Sequence, residues 1–134
     1  MSNAVYPHAL DSFGTGKIDW TTDTIMVQLL GAGYTYSATD TNPTQLADTI
    51  GAAQLVGDNK FVDRGEFHAD AVTLPTVAAG STVKAMVIYQ DTGVAADSIL
   101  ISYMDTRSDS GPINFATDGS DVIVTWAGNI LFKI

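Results

Sequence analysis

Short apolar runs closed by turn residues set the limits on what this chain can fold into. Thr24 to Leu30 closes at Gly31, and Val83 to Tyr89 closes at Asp91-Thr92-Gly93. Ser98 to Met104 closes at Asp105, and Val122 to Trp126 closes at Gly128-Asn129 before Ile130 to Ile134. Runs this short, rich in β-branched residues and bounded by Asp, Gly and Thr, predict an antiparallel β-sandwich or barrel. The turns hold no recognisable catalytic set, which points to a structural or binding module rather than an enzyme.

Composition narrows the class further. At 134 residues the chain is read as one domain, and 46% hydrophobic against 16% charged residues excludes a disordered tail. With no cysteine, disulfides and thiolate metal sites are ruled out, so stability must come from the core or from oligomerisation. No apolar run approaches the ~20 residues that cross a bilayer. The start Met1-Ser2-Asn3-Ala4-Val5-Tyr6-Pro7 lacks the pattern of a signal peptide, so a soluble protein made in a cytoplasm is expected. A formal charge of −9 repels phosphate backbones and argues against nucleic-acid binding. The six basic residues, Lys17, Lys60, Arg64, Lys84, Arg107 and Lys133, are scattered. Fourteen of the fifteen acids are Asp, with Glu66 alone, and Asp is a turn former where Glu is a helix former. The negative charge is therefore expected on loops.

Two stretches break the rhythm. Residues 1–16 read as an N-terminal arm, broken at Pro7, free to bend at Gly14-Thr15-Gly16, with a short helical turn around Ala9 to Phe13. Residues 31–60 read as a long irregular excursion. Tyr34-Thr35-Tyr36 could pair as a short strand, and Gln45 to Val56 could hold one or two helical turns. There Leu46 and Ile50 stand at i and i+4, with Gly51 and Gly57 as limits. An excursion of this length usually carries contacts or function. Further on, Glu66 to Val72 alternates as a half-exposed strand stopped at Leu74-Pro75. Val83 to Gln90 is apolar on both faces, as a strand covered on both sides or an oligomer contact would be. Ile113 to Ala116 is a short strand, and Asp118-Gly119 is a hairpin-type turn.

Each candidate for chemistry has an ordinary explanation. Glu66, His68 and Asp70 share a strand face and could bind a divalent metal or act as an acid–base set, but strand alternation alone demands a polar face there. The pairs Asp19/Asp23, Asp105/Asp109 and Asp118/Asp121 lack the twelve-residue calcium-loop spacing and are explained by turn formation. No Gly-x-Ser-x-Gly occurs. Gly14-Thr15-Gly16-Lys17 has neither the spacing nor the following helix of a phosphate loop. Trp20, Trp126 and the five tyrosines could make a sugar-stacking platform, although strand aromatics are more often core or interface. No cofactor and no metal site is expected.

Three blocks in order carry a family resemblance: Gly16 to Leu30 followed by Tyr34-Thr35; Val83 to Gly93 with Ser98 to Asp105; and Val122 to Leu131. Together they resemble a family of small structural proteins of tailed bacteriophages, similar to capsid decoration, or cement, proteins. The resemblance implies an all-β, jelly-roll-like antiparallel sandwich with an extended N-terminal arm and at most one or two short helical turns. It implies a virion protein on the capsid surface, made in the host cytoplasm, that binds the major capsid protein and associates with itself as a homo-oligomer. No nucleic-acid or membrane partner is implied. The arm and the excursion are then the expected contact regions, with Tyr6, His8, Phe13, Tyr34 and Tyr36 as candidate interface residues. The alternatives are a carbohydrate-binding sandwich of a tail or fibre, tested at Tyr34 and Tyr36, and a tail or head–tail connector protein.

Overall fold

The computed structural model describes residues 3–56 and 59–134. The expected limit at Gly57 and the first two residues of the 1–16 arm lie outside the described residues. Twelve strands follow in chain order: β1 (Ala4–Val5), β2 (Ile25–Leu30), β3 (Thr49–Val56), β4 (Phe61–Asp63), β5 (Glu66–His68), β6 (Val72–Leu74), β7 (Thr82–Val83), β8 (Ala85–Gln90), β9 (Ile99–Met104), β10 (Phe115–Ala116), β11 (Val122–Val124) and β12 (Ile130–Lys133). One helix, α1 (Pro7–Gly14), lies between β1 and β2. All ladders are antiparallel, and the fold is all-β and sandwich-like. No helix among the described residues is long and apolar enough to cross a membrane.

The backbone of the fold is a five-stranded sheet in the order β1-β9-β8-β2-β3. Residues opposite one another across antiparallel strands share a face. Val27 opposite Ile88 and Leu29 opposite Met86 therefore lie on one side, and Met26 opposite Tyr89 and Gln28 opposite Val87 lie on the other. All six residues of β9 are buried, as are Val87 and Ile88 of β8. These central strands are covered on both sides, as the two apolar faces of Val83 to Gln90 led one to expect. Three smaller ladders, β12-β5-β4, β11-β6 and β10-β7, make up the opposing layer.

The N-terminal segment does not project. β1 pairs with β9, and the Tyr6 amide donates to the Ile101 carbonyl at 2.9 Å. Pro7 starts α1 with its φ preset. Ala9 and Ser12 turn inward beside the fully buried Tyr6. The expected turn around Ala9 to Phe13 is thus a real helix, and the segment expected to be an arm is part of the core because its apolar face has a sheet to cover. The helix ends with Gly16 at φ 78°, where the Gly16 amide bonds the Phe13 carbonyl and the Lys17 amide bonds Ser12. This is a glycine C-cap of the Schellman type, and it accounts for Gly14-Thr15-Gly16-Lys17 without any phosphate.

The described part of the excursion is ordered as well. Among its described residues only Pro43–Gln45 forms a helical turn, a 3₁₀ turn whose Asn42 side chain accepts from the Thr44 amide. The helical reading of Gln45 to Val56 is wrong, since Thr49–Val56 is the strand β3. β-Branched Thr49, Ile50 and Val56 favour the pleat, and the i, i+4 pair Leu46 and Ile50 spans two elements, Leu46 closing the 3₁₀ turn and Ile50 lying in β3. Val27 stands opposite Gln54 and Leu29 opposite Ile50, so Gly51 to Ala53 bulge against Gln28 alone. Gly51 takes φ 69° there. The buried Gln28 fills the gap, its Nε2 lying 3.1 Å from the carbonyls of Leu29 and Ile50 and 3.0 Å from that of Gly51. Tyr34 to Tyr36 forms no strand.

Two further readings change. The run Glu66 to Val72 is two strands in different ladders, β5 and β6, because the chain crosses between them at Ala69-Asp70-Ala71. The Asp118-Gly119 turn exists, with Gly119 at φ 89°, but its flanking strands β10 and β11 pair with β7 and β6 rather than with each other.

The bulge makes a sharp prediction. Replacing Gln28 with Leu keeps the volume but removes the two N–H donors that the carbonyls of Leu29, Ile50 and Gly51 share, which should cost about 1–3 kcal/mol. Equilibrium denaturation of Gln28→Leu should show that loss; an unchanged midpoint would mean the bulge does not depend on this side chain.

Candidate functional site

The structure brings three of the five candidate interface residues together. Tyr6, at the start of α1, and Tyr34 and Tyr36, on the connection from β2 to β3, meet Tyr103 of β9. Ring centroids lie 5.0 Å apart for Tyr6–Tyr36, 5.4 Å for Tyr36–Tyr103 and 5.9 Å for Tyr34–Tyr103. The Tyr34 hydroxyl donates to Asp40 Oδ2 at 2.7 Å and stands 2.8 Å from the Tyr6 hydroxyl. A phenol has one proton, so Tyr34 spends its own on Asp40 and Tyr6 donates to Tyr34. Burial, and then this relay, push the Tyr6 phenol far above its ordinary value; burial likewise raises Tyr34. Tyr6 and Tyr34 are buried and Tyr36 half-buried, so the cluster pins the 31–48 connection to the sheet instead of offering flat rings to solvent.

The loop is held at its neck as well. Asp48, at φ 54°, accepts the Gly33 amide at 2.9 Å on its carboxylate, while its carbonyl accepts the Gly31 amide at 2.9 Å. A Cβ on Gly31 would collide with the Asp48 carboxylate, which is why the strand closes on glycine.

Phe13 goes elsewhere. Its ring sits 4.9 Å from Phe67, which stacks on Phe132 at 4.5 Å, and Trp20 meets both of these edge-on at 5.5 Å. The Trp20 indole donates to the His68 carbonyl and the Trp126 indole to the Asp70 carbonyl. The two tryptophans thus clamp the crossing from β5 to β6, a core role. His8 is half-buried on α1, with its carbonyl accepting from Ser12 Oγ.

The Glu66, His68 and Asp70 set does not assemble. His68 Nε2 is buried without a hydrogen-bond partner, 3.6 Å from Glu66, and Phe61 stacks on the imidazole at 4.3 Å. Glu66 is engaged by Lys133 at 3.1 Å, which holds its carboxyl below the usual range, whereas Asp70 accepts from Asn59. Among the described residues no group of three His, Cys, Asp or Glu could hold a metal ion. The Asp-rich turns are turns: Asp19 accepts from Thr21, Asp109 from the Gly111 amide and Asp118 from the Ser120 amide. Those bonds lower all three carboxyls.

The feature that no sequence pattern announced is an open cleft of about 420 Å³ between the large sheet and the smaller ladders. Leu29, Met86 and Met104 of the sheet form one wall, and Val124, Trp126 and Leu131 the other. Phe115 and Ile123 line it as well, although they are 39% and 65% exposed. Arg107, at one end, is paired with Asp109 at 3.3 Å. A second cleft of about 510 Å³ adjoins it through Thr106, Ile113 and Asn114 and reaches Tyr34, Tyr103 and Lys84, whose ammonium donates to Asn114 Oδ1 at 2.9 Å. Apolar walls with a few polar groups at the ends suit the capture of an apolar side chain or small ligand. The available signal was Val122-Ile123-Val124, three consecutive apolar residues that leave one pointing outward on any strand.

The tyrosine relay predicts an order of damage. Tyr34→Phe removes both Asp40's donor and Tyr6's acceptor and should cost about 1–3 kcal/mol, more than Tyr6→Phe, which removes one bond. Denaturation of the two variants would refute the relay if Tyr6→Phe proved the more harmful. Comparison of the chain with family models, curated proteins and solved structures finds no match.

Proposed function

We propose that this chain is a virion structural protein, a decoration protein that binds the outside of a tailed-phage head and stabilises it through the major capsid protein. The observation that carries this reading is the open apolar cleft with Phe115 and Ile123 exposed beside it. Large apolar side chains held in solvent next to a concave apolar wall are the anatomy of a protein contact. The resemblance supplies the identity of the partner. Its three blocks supply β2, then β8 and β9, then β11 and β12, which form both walls of the cleft. The −9 charge keeps such a protein off the packaged nucleic acid, and repeated copies on a lattice multiply weak contacts if the protein self-associates.

The carbohydrate-binding alternative loses its platform, because Tyr34 and Tyr36 stack within the tyrosine cluster rather than facing outward. The contact region shifts accordingly, from the N-terminal segment and the 31–60 connection to the cleft.

Cryo-microscopy of heads assembled with and without the protein tests the proposal. Additional density on the outer surface at lattice positions is expected, and unchanged head density would overturn it. Phe115→Ser with Ile123→Ser should weaken attachment by more than about 2 kcal/mol, as loss of a central anchor does, while the isolated variant keeps its fold.

A further inference from the structure

We infer that the cleft receives an extended segment of the partner, one apolar anchor flanked by lysine or arginine, laid along the unpaired edge of β11. The inference rests on the decoration reading and names the chemistry of the contact.

Three observations converge on that occupant. The first is shape and polarity: Met86, Met104 and Trp126 offer an apolar floor, so the side chain entering between them must be apolar. The second is backbone. Among the described residues β11 has a ladder neighbour, β6, on one edge only, and β12 likewise has only β5. Both strands line the cleft, through Val122 to Val124 and through Ile130 and Leu131. The ladder-free edge of β11 carries amide and carbonyl groups that an extended chain can pair with, as in strand addition. The third is charge. Among the described residues Arg107 is the one charged residue lining the cleft, and it is already paired with Asp109. Four aspartates, Asp105, Asp109, Asp118 and Asp121, stand close in sequence to the lining segments rather than within them. Asp118 and Asp121, beside β11, are met by the backbone amides of Ser120 and Thr76, which carry no full charge. An incoming segment with basic flanks is attracted, and an acidic one is repelled.

Blocked peptides of alternating leucine and lysine test this directly, against peptides with glutamate or serine in place of lysine. Binding is read by the emission of Trp126, with Trp20→Phe isolating that signal. The lysine peptide should bind, weaken as salt is raised, and exceed the glutamate peptide by at least roughly tenfold. Ile123→Ser, which leaves the charge untouched, should reduce binding by a similar factor and so separate the cleft from general attraction to an acidic protein. Equal binding of the lysine and glutamate peptides, no binding at all, or no effect of Ile123→Ser would overturn the inference. If the peptides fail but the protein still decorates heads, the decoration reading stands and this contact falls. If the peptides bind but no head density appears, the cleft chemistry stands and the decoration reading falls.

Discussion

Everything in this molecule depends on the unbroken ladder between β2 and β8, where six pairs run in register from Ile25 opposite Gln90 to Leu30 opposite Ala85. Register fixes which side chains share a face, and a slip by one residue would exchange the two faces of every strand attached to it. One face carries Val27, Leu29 and Ile88 toward the smaller ladders, and the other carries Gln28 and Val87. Both faces are buried, so the ladder is specified from two sides. Within the large sheet the irregularities fall in its neighbours: β3 bulges against Gln28, and β9 shifts between the pairs at Ile88 and Tyr89. Curvature enters at the flanks, where a side chain such as Gln28 can satisfy the displaced carbonyls.

The regular strands were legible because period-two alternation and closing turns are local signals. β2, β8 and β9 fall where the sequence places them, with Gly31, Asp91 and Asp105 just beyond. What stayed hidden depends on partners distant in sequence. β3 hid behind the spacing of Leu46 and Ile50, and only the contact with Gln28 shows that the extra residues belong to a bulge. The β4–β5 hairpin turns on Arg64 and Gly65 at φ 54° and 80°, a two-residue turn of the type I′ class in which the left-handed arginine gives no strong sequence signal. The candidate interface residues all lie outside the strand rhythm. Three of them, Tyr6, Tyr34 and Tyr36, form a real cluster, but an inward one, because irregular backbone must still be fastened and large aromatics do the fastening.

The division of charge and apolar surface follows from the same local rules. Aspartate serves the turns through short bonds to amides two residues on, as at Asp91 with Gly93, Asp109 with Gly111 and Asp118 with Ser120. The acids that give the chain its −9 charge therefore collect at the ends of strands, and the strand surfaces between them stay apolar. On the reading proposed above, a basic segment is drawn by the aspartates of the turns and held by Ile123 and the cleft walls. Long-range attraction and short-range fit then select for different properties of the same segment: its charge governs the rate of encounter and its anchor the lifetime of the contact.

The cleft is also a consequence of topology. The central strands of the large sheet are six residues long, whereas β10, β11 and β12 have two, three and four. Three short ladders that do not pair with one another cannot tile the face of a continuous sheet, so seams remain where one ladder stops and the next begins. At one seam Phe67, Phe132, Trp20 and Phe13 fill the space with rings. At the other, near Met86 and Met104, no ring from α1 arrives, and Trp126 and Leu131 reach only part of the way. One helix supplies aromatic filling to one end of the layer and leaves the other open. A fold of this kind acquires an open cleft without a dedicated loop, since the sheet that stabilises the domain forms one wall and Val124, Trp126 and Leu131 of the opposing layer form the other.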